Sequence, residues 1–188
     1  MRLFAGIKTF RLNCKASAAE SRPEEILSHL QLKEGNSIAD IGSGGGYYSV
    51  RFAEKVGPAG GVYALDNNPF FLKKIKKTAD KKNLNIQPVS KPEELPEKGL
   101  DLIFFRNSAH HIENRTEYFR SLRKYLRDKG RIAVIEYRED SFSRKGHSVS
   151  KNQLSYEMKE AGYRIIEDYG FLPEQSFTVY LADCRKGI

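Results

Sequence analysis

Apolar residues along the chain follow two alternating patterns. Short apolar runs typical of buried strands occupy residues 37–41, 61–65, 86–89, 101–105, 131–137, 163–166 and 177–182. Between these runs, apolar residues recur at helical spacing, which predicts helices over residues 23–32, 47–56, 69–82 and 116–126, and from residue 151 to about residue 162. Strands that alternate with helices indicate a doubly wound α/β fold with a mostly parallel sheet, whose last two strands form an antiparallel hairpin.

Helix start signals support these boundaries. Pro23 suits a first helical turn, and Glu24 and Glu25 complement the positive end of a helix. Ser150 opens the last helix with a capping-box pattern that Gln153 completes. The boundaries are therefore local properties of the sequence.

Length and composition are those of a globular protein. With 188 residues, 39% of them hydrophobic and 30% charged, the chain has the material for one domain. No stretch approaches the roughly 20 apolar residues of a membrane span. We expect residues 23–188 to form the domain and residues 1–22 to be a helical segment packed on it, since Leu3, Ile7 and Phe10 fall at helical spacing.

The cysteines and the first residues bear on location. Cys14 and Cys184 have no ligand-like spacing, so we expect free thiols, no metal site and a cytoplasmic protein. Residues 1–19 contain basic residues and no acidic residue. A transit peptide is therefore the alternative interpretation of that segment.

The most specific pattern is the glycine-rich segment after the first predicted strand, residues 38–50. A hydride-transferring dinucleotide-binding protein requires G-x-G-x-x-G, and counting from Gly42 the third glycine would fall on Tyr47. Asp40 precedes the glycines, and its charge would repel a pyrophosphate but attract a cation in a poorly hydrated cleft. The segment therefore predicts a ligand with ammonium and sulfonium groups, such as S-adenosylmethionine.

These residues resemble the first motif of the class I S-adenosylmethionine-dependent methyltransferases, D/E-x-G-x-G-x-G. The fixed positions of that motif are filled by Asp40, Gly42, Gly44 and Gly46. The resemblance continues through residues 99–112 and covers the chain from residue 23 onward. It implies a Rossmann-like sheet of seven strands, S-adenosylmethionine as cofactor and S-adenosylhomocysteine as product.

The resemblance also assigns cofactor contacts by position. Asp66, at the end of the second strand, would accept hydrogen bonds from both ribose hydroxyls. The acid that usually binds adenine after the third strand is missing, and Ser90 would accept that hydrogen bond more weakly, by about 1 kcal/mol. The other assigned positions are Ser43 and Tyr47 in the first motif, Asn67 at the adenine edge, and Arg106 and Asn107 at the methionine end. For Asn67, a turn residue is an equally good interpretation.

His110 and His111 are the candidate catalytic residues, because imidazole is suited to removing a proton near neutral pH. Either would serve if the acceptor is a hydroxyl, an amine or an activated carbon. Methyl transfer from a sulfonium is an in-line displacement that neutralises charge, so we expect orientation and water exclusion to supply most of the acceleration. A structural role for the pair in shaping its loop is the alternative.

The resemblance favours a small-molecule acceptor of the quinone-biosynthesis type. We expect its pocket to be formed by the N-terminal segment, residues 108–115 and residues 138–149. The last of these segments is too short to form a lid, so the cleft is expected to be open or to be completed by a partner subunit. The net charge of +8 and the lysines of residues 73–82 support a second class, in which the acceptor is RNA or another polyanion. A cofactor-binding protein without catalysis is the third.

Overall fold

The computed structural model describes residues 11–139 and 148–183. Its strands are β1 (Ser37–Ile41), β2 (Gly61–Leu65), β3 (Ile86–Val89), β4 (Leu100–Arg106), β5 (Leu126–Tyr137), β6 (Tyr163–Tyr169) and β7 (Gln175–Ala182). Its α-helices are α1 (residues 11–17), α2 (Pro23–His29), α3 (Tyr47–Val56), α4 (Pro69–Lys82), α5 (Arg115–Leu122) and α6 (Lys151–Glu160). The strands form a seven-stranded sheet in the order β3-β2-β1-β4-β5-β7-β6, which confirms the predicted Rossmann-like α/β fold.

The chain divides into two compact units, Met1–Pro96 and Glu97–Ile188. In the first unit, β1 pairs in parallel with β2, and β2 pairs in parallel with β3. Leu65 lies opposite Val89 in this ladder, so the residues that follow them, Asp66 and Ser90, emerge at the same edge of the unit. The register of three short strands therefore brings polar residues from separate parts of the sequence to one place.

Local sequence sets the bounds of α4 in this unit. The side chain of Asn68 accepts a hydrogen bond from the backbone N–H of Phe70, and Pro69 occupies the first turn. Asn83 adopts a left-handed conformation at the other end. The apolar face of the helix includes Ile75, which is buried. The predicted bounds of this helix are confirmed.

The second unit carries the antiparallel part of the sheet. β4 pairs in parallel with β5, and β7 pairs antiparallel with both β5 and β6, as predicted for the terminal hairpin. Its core is aromatic, with Phe104, Phe105, Phe119 and Phe177 all fully buried. Phe105 and Phe119 meet edge to face with ring centroids 5.6 Å apart.

The boundary between α5 and β5 differs from the prediction. The helix expected over residues 116–126 ends at Leu122, and β5 begins at Leu126 instead of residue 131. Leu126 pairs with Leu100, and the register then slips so that Leu102 faces Arg131. The apolar spacing of residues 122–126 suits a helix, but Leu126 pairs with Leu100 of β4 and is therefore part of the sheet.

The two strands of the terminal hairpin are longer than predicted. β6 extends through Glu167 and Asp168, and β7 begins at the buried polar residues Gln175 and Ser176. Pairing with neighbouring strands, rather than an apolar pattern, holds these residues in the sheet.

Some sequence predictions fall outside the described residues. Leu3, Ile7 and Phe10, Cys184, and residues 140–147 of the expected acceptor pocket are among them. The division into an N-terminal segment (residues 1–22) and a domain (residues 23–188) stays a prediction. Within the described ranges, none of the helices has the length and apolar character needed to cross a membrane.

Candidate functional site

The glycine loop between β1 and α3 is folded onto the end of β2 by backbone hydrogen bonds. The N–H groups of Gly42 and Ser43 both donate to the carbonyl of Leu65, at 2.9 and 3.0 Å. Gly46 N donates to the carbonyl of Ser43 at 2.8 Å, which closes the loop before the helix begins. These hydrogen bonds therefore use backbone groups only.

Glycine is required in this loop for two separate reasons. Gly44 and Gly46 have φ angles of +51° and +80°, in the left-handed region that other residues adopt only with strain. In addition, a Cβ atom on Gly46 would lie 2.6 Å from Cγ1 of Ile75 in α4. Gly46, the residue before α3, therefore lies so close to α4 that a side chain there would force Ile75 to shift.

Asp66 ties the loop to the second strand. Its Oδ2 accepts a hydrogen bond from Gly44 N at 2.9 Å, and its Oδ1 accepts one from Asn68 N at 2.8 Å. The residue is only 9% exposed. Each carboxylate oxygen has two acceptor positions, so one on each oxygen is left after these bonds are made. That arrangement fits a ligand that presents two neighbouring hydroxyls, as a ribose does.

Asp40, near the end of β1, is a second buried carboxylate and comes just before the same loop in the chain. It is 4% exposed, and its Oδ2 accepts a hydrogen bond from the hydroxyl of Ser49 at 2.5 Å. The Oγ atom of Ser43 is also buried, and it has no hydrogen-bond partner among the described residues. A buried hydroxyl without a partner is unfavourable unless a ligand supplies one. Acid, hydroxyl and glycines together fit the cationic half of S-adenosylmethionine.

Helix α1 contacts the glycine loop directly. The side-chain amide of Asn13 donates to the carbonyl of Gly45 at 3.0 Å, and Leu12 Cδ1 lies 3.4 Å from the position of a Cβ on Gly44. Sequence reasoning expected an N-terminal helix against the domain but assigned neither residue to the site. Leu12 and Asn13 are residues that only the structure brings to the loop.

A carboxylate that sequence reasoning did not find lies in the turn after β3. Oε1 of Glu94 accepts hydrogen bonds from Ser90 N, from Ser90 Oγ and from Lys91 N, at 2.9, 2.9 and 3.0 Å. The bonds from the Ser90 backbone and then its hydroxyl lower the pKa of Glu94. Because Ser90 donates its proton to Glu94, the lone pairs of its oxygen are left as acceptors. The sequence feature that could have identified Glu94 is its position three residues after Lys91, where an acid can accept hydrogen bonds from the start of a turn.

Two other residues of the first unit were assigned to the cofactor from the sequence, Asn67 and Tyr47. Asn67 follows Asp66 and is exposed. The next residue, Asn68, caps helix α4 by accepting a hydrogen bond from Phe70 N. Tyr47 opens α3 and its ring packs edge to face on Tyr48, with centroids 5.2 Å apart. The assignment of Asn67 and Tyr47 to the cofactor stays a prediction.

In the second unit, the end of β4 is held by a side-chain amide pair. Asn107 has a left-handed backbone with φ of +54°, and its N–H donates to Ile135 O at 2.8 Å. Its Oδ1 accepts a hydrogen bond from Nε2 of Gln175 at 2.6 Å, and Gln175 is buried. Arg106, the residue before, is half-buried. The contacts of Arg106 and Asn107 with the cofactor stay predictions.

His110 and His111 have different surroundings in the same unit. Nδ1 of His110 lies 2.8 Å from Oε2 of Glu136, a fully buried carboxylate near the end of β5. His111 is exposed, and its ring lies against that of His110 with centroids 4.0 Å apart. Glu136 was not identified from the sequence. A single acid after an apolar run such as Ile132–Ile135 is common where a strand ends at the surface, so nothing local marks this one as buried.

A loop that requires left-handed glycines and carries a buried acid at each side suits a cationic nucleoside rather than a pyrophosphate. With the sheet topology around it, this loop defines the class I S-adenosylmethionine-dependent methyltransferases.

Comparison with known proteins gives the family. A model described as "Methyltransferase domain" matches residues 32–170, and the chain belongs to that family. The phosphoethanolamine N-methyltransferase of Plasmodium falciparum is 25% identical over 138 residues, covering 70% of this chain and 52% of that protein. The ubiquinone/menaquinone biosynthesis C-methyltransferase UbiE of Pasteurella multocida is 24% identical over 111 residues, covering 56% and 41%. The chain thus spans about half the length of these curated relatives.

A solved structure shows the same fold. The crystal structure of a SAM-dependent methyltransferase from Aquifex aeolicus superposes with a TM-score of 0.78 at 22% identity, covering 85% of this chain and 88% of that one. The resemblance inferred from the sequence is therefore confirmed at the level of family and fold.

Proposed function

We propose that this protein transfers the methyl group of S-adenosylmethionine to a small-molecule acceptor. The observation that carries the proposal is the Asp66 carboxylate, which anchors the glycine loop through Gly44 N and still has an acceptor position on each oxygen. S-adenosylmethionine supplies a methyl group that is electrophilic because it is bonded to a sulfonium. The family membership and the two curated relatives support the activity.

Residues of the first unit would hold the cofactor. Asp66 would bind the ribose hydroxyls, and the buried Asp40 would offset the positive charge of the methionine half. Ser43 Oγ, which is buried and unpaired among the described residues, would gain a partner in the loop. At the adenine edge, Ser90 would accept a hydrogen bond while Glu94 holds its hydroxyl in place.

The acceptor is proposed to be small because both relatives are named for small molecules. One is named for phosphoethanolamine and the other for ubiquinone/menaquinone biosynthesis. In-line displacement requires the acceptor atom, the methyl carbon and the sulfur to be aligned, so orientation and exclusion of water would supply most of the acceleration. A general base is needed only if the acceptor carries a proton, and His110 and His111 are the candidates for that role.

Titration calorimetry with S-adenosylmethionine, S-adenosylhomocysteine and a nicotinamide dinucleotide tests the proposal. We expect binding of the first two and none of the third. Asp66→Ala should weaken binding by roughly 1–3 kcal/mol, because it removes the ribose acceptors and frees Gly44 N. Asp80→Ala is the matched control, since Asp80 is an exposed aspartate of α4 whose partner is Lys76. Wild-type protein that binds only the dinucleotide would contradict the proposal.

A polyanionic acceptor such as RNA is a second candidate because of a row of lysines on α4. Lys73, Lys77 and Lys81 recur every four residues, which places them on one side of the helix, and all three are exposed. Among the described residues none of the three forms an ion pair, whereas Lys76 and Lys82 do. Methyl incorporation into bulk RNA, with retention that falls steeply as salt rises, would favour this candidate. Replacing the row by glutamine should then abolish retention.

A further inference from the structure

A cavity of about 410 Å³ lies between helix α6 and the terminal hairpin of the second unit. Ser155, Tyr156 and Lys159 of α6 line it on one side, and Ile165 of β6 and Tyr180 of β7 line it on the other. Ile165 pairs with Tyr180 across the hairpin, and residues that pair across strands project from the same face of a sheet. Pockets of roughly 300–1,000 Å³ are the usual size for small-molecule sites. The cavity is therefore large enough to hold a small ligand.

Two apolar side chains of this cavity are exposed to water. Tyr156 is 62% exposed and Ile165 is 45% exposed, and they are two of the three large apolar side chains that are exposed among the described residues. Ile165 is exposed because β6 is the last strand of the sheet and has a neighbouring strand on one side only. Tyr180, by contrast, is 1% exposed and belongs to the core. Exposed apolar surface beside a cavity is typical of a binding site, because a ligand that covers it removes it from water.

The lining of the cavity carries net positive charge. Lys159 and Arg164 are exposed, and neither forms an ion pair among the described residues. Asp183 is the acid among the described lining residues, and its backbone carbonyl accepts a hydrogen bond at 3.4 Å from Arg123, a third cation beside the cavity. Burial raises the pKa of Tyr180, so its hydroxyl stays protonated near neutral pH and adds no negative charge. Basic side chains without acidic partners favour a ligand that carries negative charge.

The cavity is separate from the polar side-chain site near the end of β5. Tyr180 lies opposite Ile132 of β5, whereas Ser176 lies opposite Glu136. Positions 176 and 180 are therefore about 13 Å apart along the extended strand. Glu136 contacts the turn at residues 109–111, inside the segment that the sequence predicted to line the acceptor pocket. The cavity is thus a different site from that pocket.

We propose that this cavity binds a small amphipathic anion, which combines an apolar ring or chain with one carboxylate, sulfate or phosphate group. The apolar part would lie against Tyr156 and Ile165, and the anionic group would pair with Lys159 and Arg164. A free small molecule is the occupant that fits, because the cavity has the volume of a ligand pocket and a core residue, Tyr180, forms part of its lining. This inference goes beyond methyl transfer and does not rest on it.

Two dyes with the same apolar rings test the proposal in fluorescence titrations. Anilinonaphthalene sulfonate carries one negative charge, and N-phenylnaphthylamine is its neutral counterpart. We expect the wild-type protein to bind both dyes saturably and to bind the sulfonate roughly three- to tenfold more tightly at low salt, because the sulfonate can pair with two exposed cations. The difference should shrink as salt is added. Failure of the wild-type protein to bind the sulfonate, or equal affinity for the two dyes at low salt, would overturn the inference.

The double variant Lys159→Gln/Arg164→Gln separates the local charges from the net charge of the protein. It should lower the affinity for the sulfonate by roughly three- to tenfold and leave the affinity for the neutral dye within about twofold. Lys73→Gln/Lys77→Gln is the matched control, because it removes two exposed lysines of α4 that also form no ion pair among the described residues. An equal loss in the two double variants would show that the sulfonate responds only to overall charge, which contradicts the proposed site.

Ile165→Ser tests the apolar part of the cavity. We expect it to weaken binding of both dyes by roughly fivefold or more, because each dye loses apolar contact. If this substitution in β6 prevents folding, Tyr156→Ser provides the same test on α6, since Tyr156 is the more exposed of the two residues. Unchanged affinity for both dyes in a variant that folds would place the dyes elsewhere and refute the inference.

Two further measurements test for other sites and other occupants. Saturation with S-adenosylhomocysteine should leave dye affinity within about twofold, because the cavity contains none of the proposed cofactor ligands. Displacement of the dye would place it in the cofactor site and overturn the inference, whereas wild-type protein that binds the dye but not S-adenosylhomocysteine would refute only the proposed methyl transfer. Sedimentation velocity should give the same mass for wild-type and Ile165→Ser protein. A dimer that this substitution dissociates would show that a second copy covers the cavity, and would likewise overturn the inference.

Discussion

The polar site of the first unit is built mainly from backbone groups, and that of the second from side chains. Around the glycine loop, the N–H groups of Gly42, Ser43 and Gly44 bind Leu65 O and the Asp66 carboxylate. In the second unit, the corresponding bonds are Glu136 to His110 and Gln175 to Asn107.

This difference matters for how each site tolerates change. A backbone site depends on conformation, so it is sensitive to residues that alter φ or close approach, such as the glycines. A side-chain site depends on chemical identity across strands, so it is sensitive to loss of one partner that leaves the other buried and unpaired. The two units should therefore respond to different classes of substitution.

The largest effect is expected at Gly46. Gly46→Ala adds left-handed strain and a contact of 2.6 Å with Ile75, and we expect the free energy of unfolding to fall by roughly 2–4 kcal/mol. Gly35→Ala is the control, because Gly35 has φ of +82° but no atom within 4 Å of the added Cβ. Urea denaturation should show a loss of about 1–2 kcal/mol there. Equal losses at the two glycines would show that the left-handed backbone accounts for the whole cost of the substitution and that contact with Ile75 adds nothing.

The next effect tests the side-chain site at Asn107. Asn107→Gly relieves its left-handed backbone but leaves the buried amide of Gln175 without its acceptor, so we expect a loss of about 1–3 kcal/mol. Asn83→Gly has the same backbone change at φ of +52° on an exposed helix end, and should alter stability by about 0.5 kcal/mol or less. Chemical denaturation of both variants measures the contrast. If the two variants lose the same stability, the amide pair contributes nothing.

A smaller effect concerns pH and the ion pair between α5 and α6. Burial raises the pKa of Glu157, and hydrogen bonds from Arg115 and Gln153 lower it. The lowering effect is the larger of the two, so the pKa lies below the ordinary value of 4.5. A depressed folded-state pKa contributes stability above pH 4.5, which is lost as pH falls through the folded value.

Thermal unfolding across the acid range measures this contribution. Glu157→Gln should flatten the acid limb by roughly 1 kcal/mol, because the amide does not titrate. Glu117→Gln removes an exposed glutamate of α5 and should leave the limb unchanged. An acid limb that is identical in wild-type and Glu157→Gln protein would contradict the assignment.

The smallest effect is expected at Ser90. Ser90→Ala removes a neutral acceptor at the proposed adenine edge, so affinity for S-adenosylhomocysteine should fall by about 0.5–1.5 kcal/mol in calorimetry. Ser121→Ala, an exposed serine whose hydroxyl donates to Tyr118 O, is the control and should bind as the wild type does. A larger loss than at Asp66 would reverse the proposed ranking of the two contacts.

Most of the fold was accessible from local pattern. The bounds of α3, β2, α4 and β3 are those predicted, because proline, glycine and asparagine mark their ends and apolar spacing marks their faces. The error at residues 123–130 has a non-local cause, since Leu126 leaves a helical pattern to pair with Leu100. Propensity and periodicity carry no information on such pairing.

The sequence by itself determined the glycine loop and its two acids, because left-handed turns and buried carboxylates admit few residue types at fixed spacing. Only the tertiary structure decided that Glu136 meets His110, that Glu94 folds back on Ser90 and that Leu12 and Asn13 reach the loop. These contacts join side chains whose residue types are ordinary at a strand end, a turn or a helix surface. Their significance arises from the partners that strand register and packing supply, and no local pattern encodes a partner.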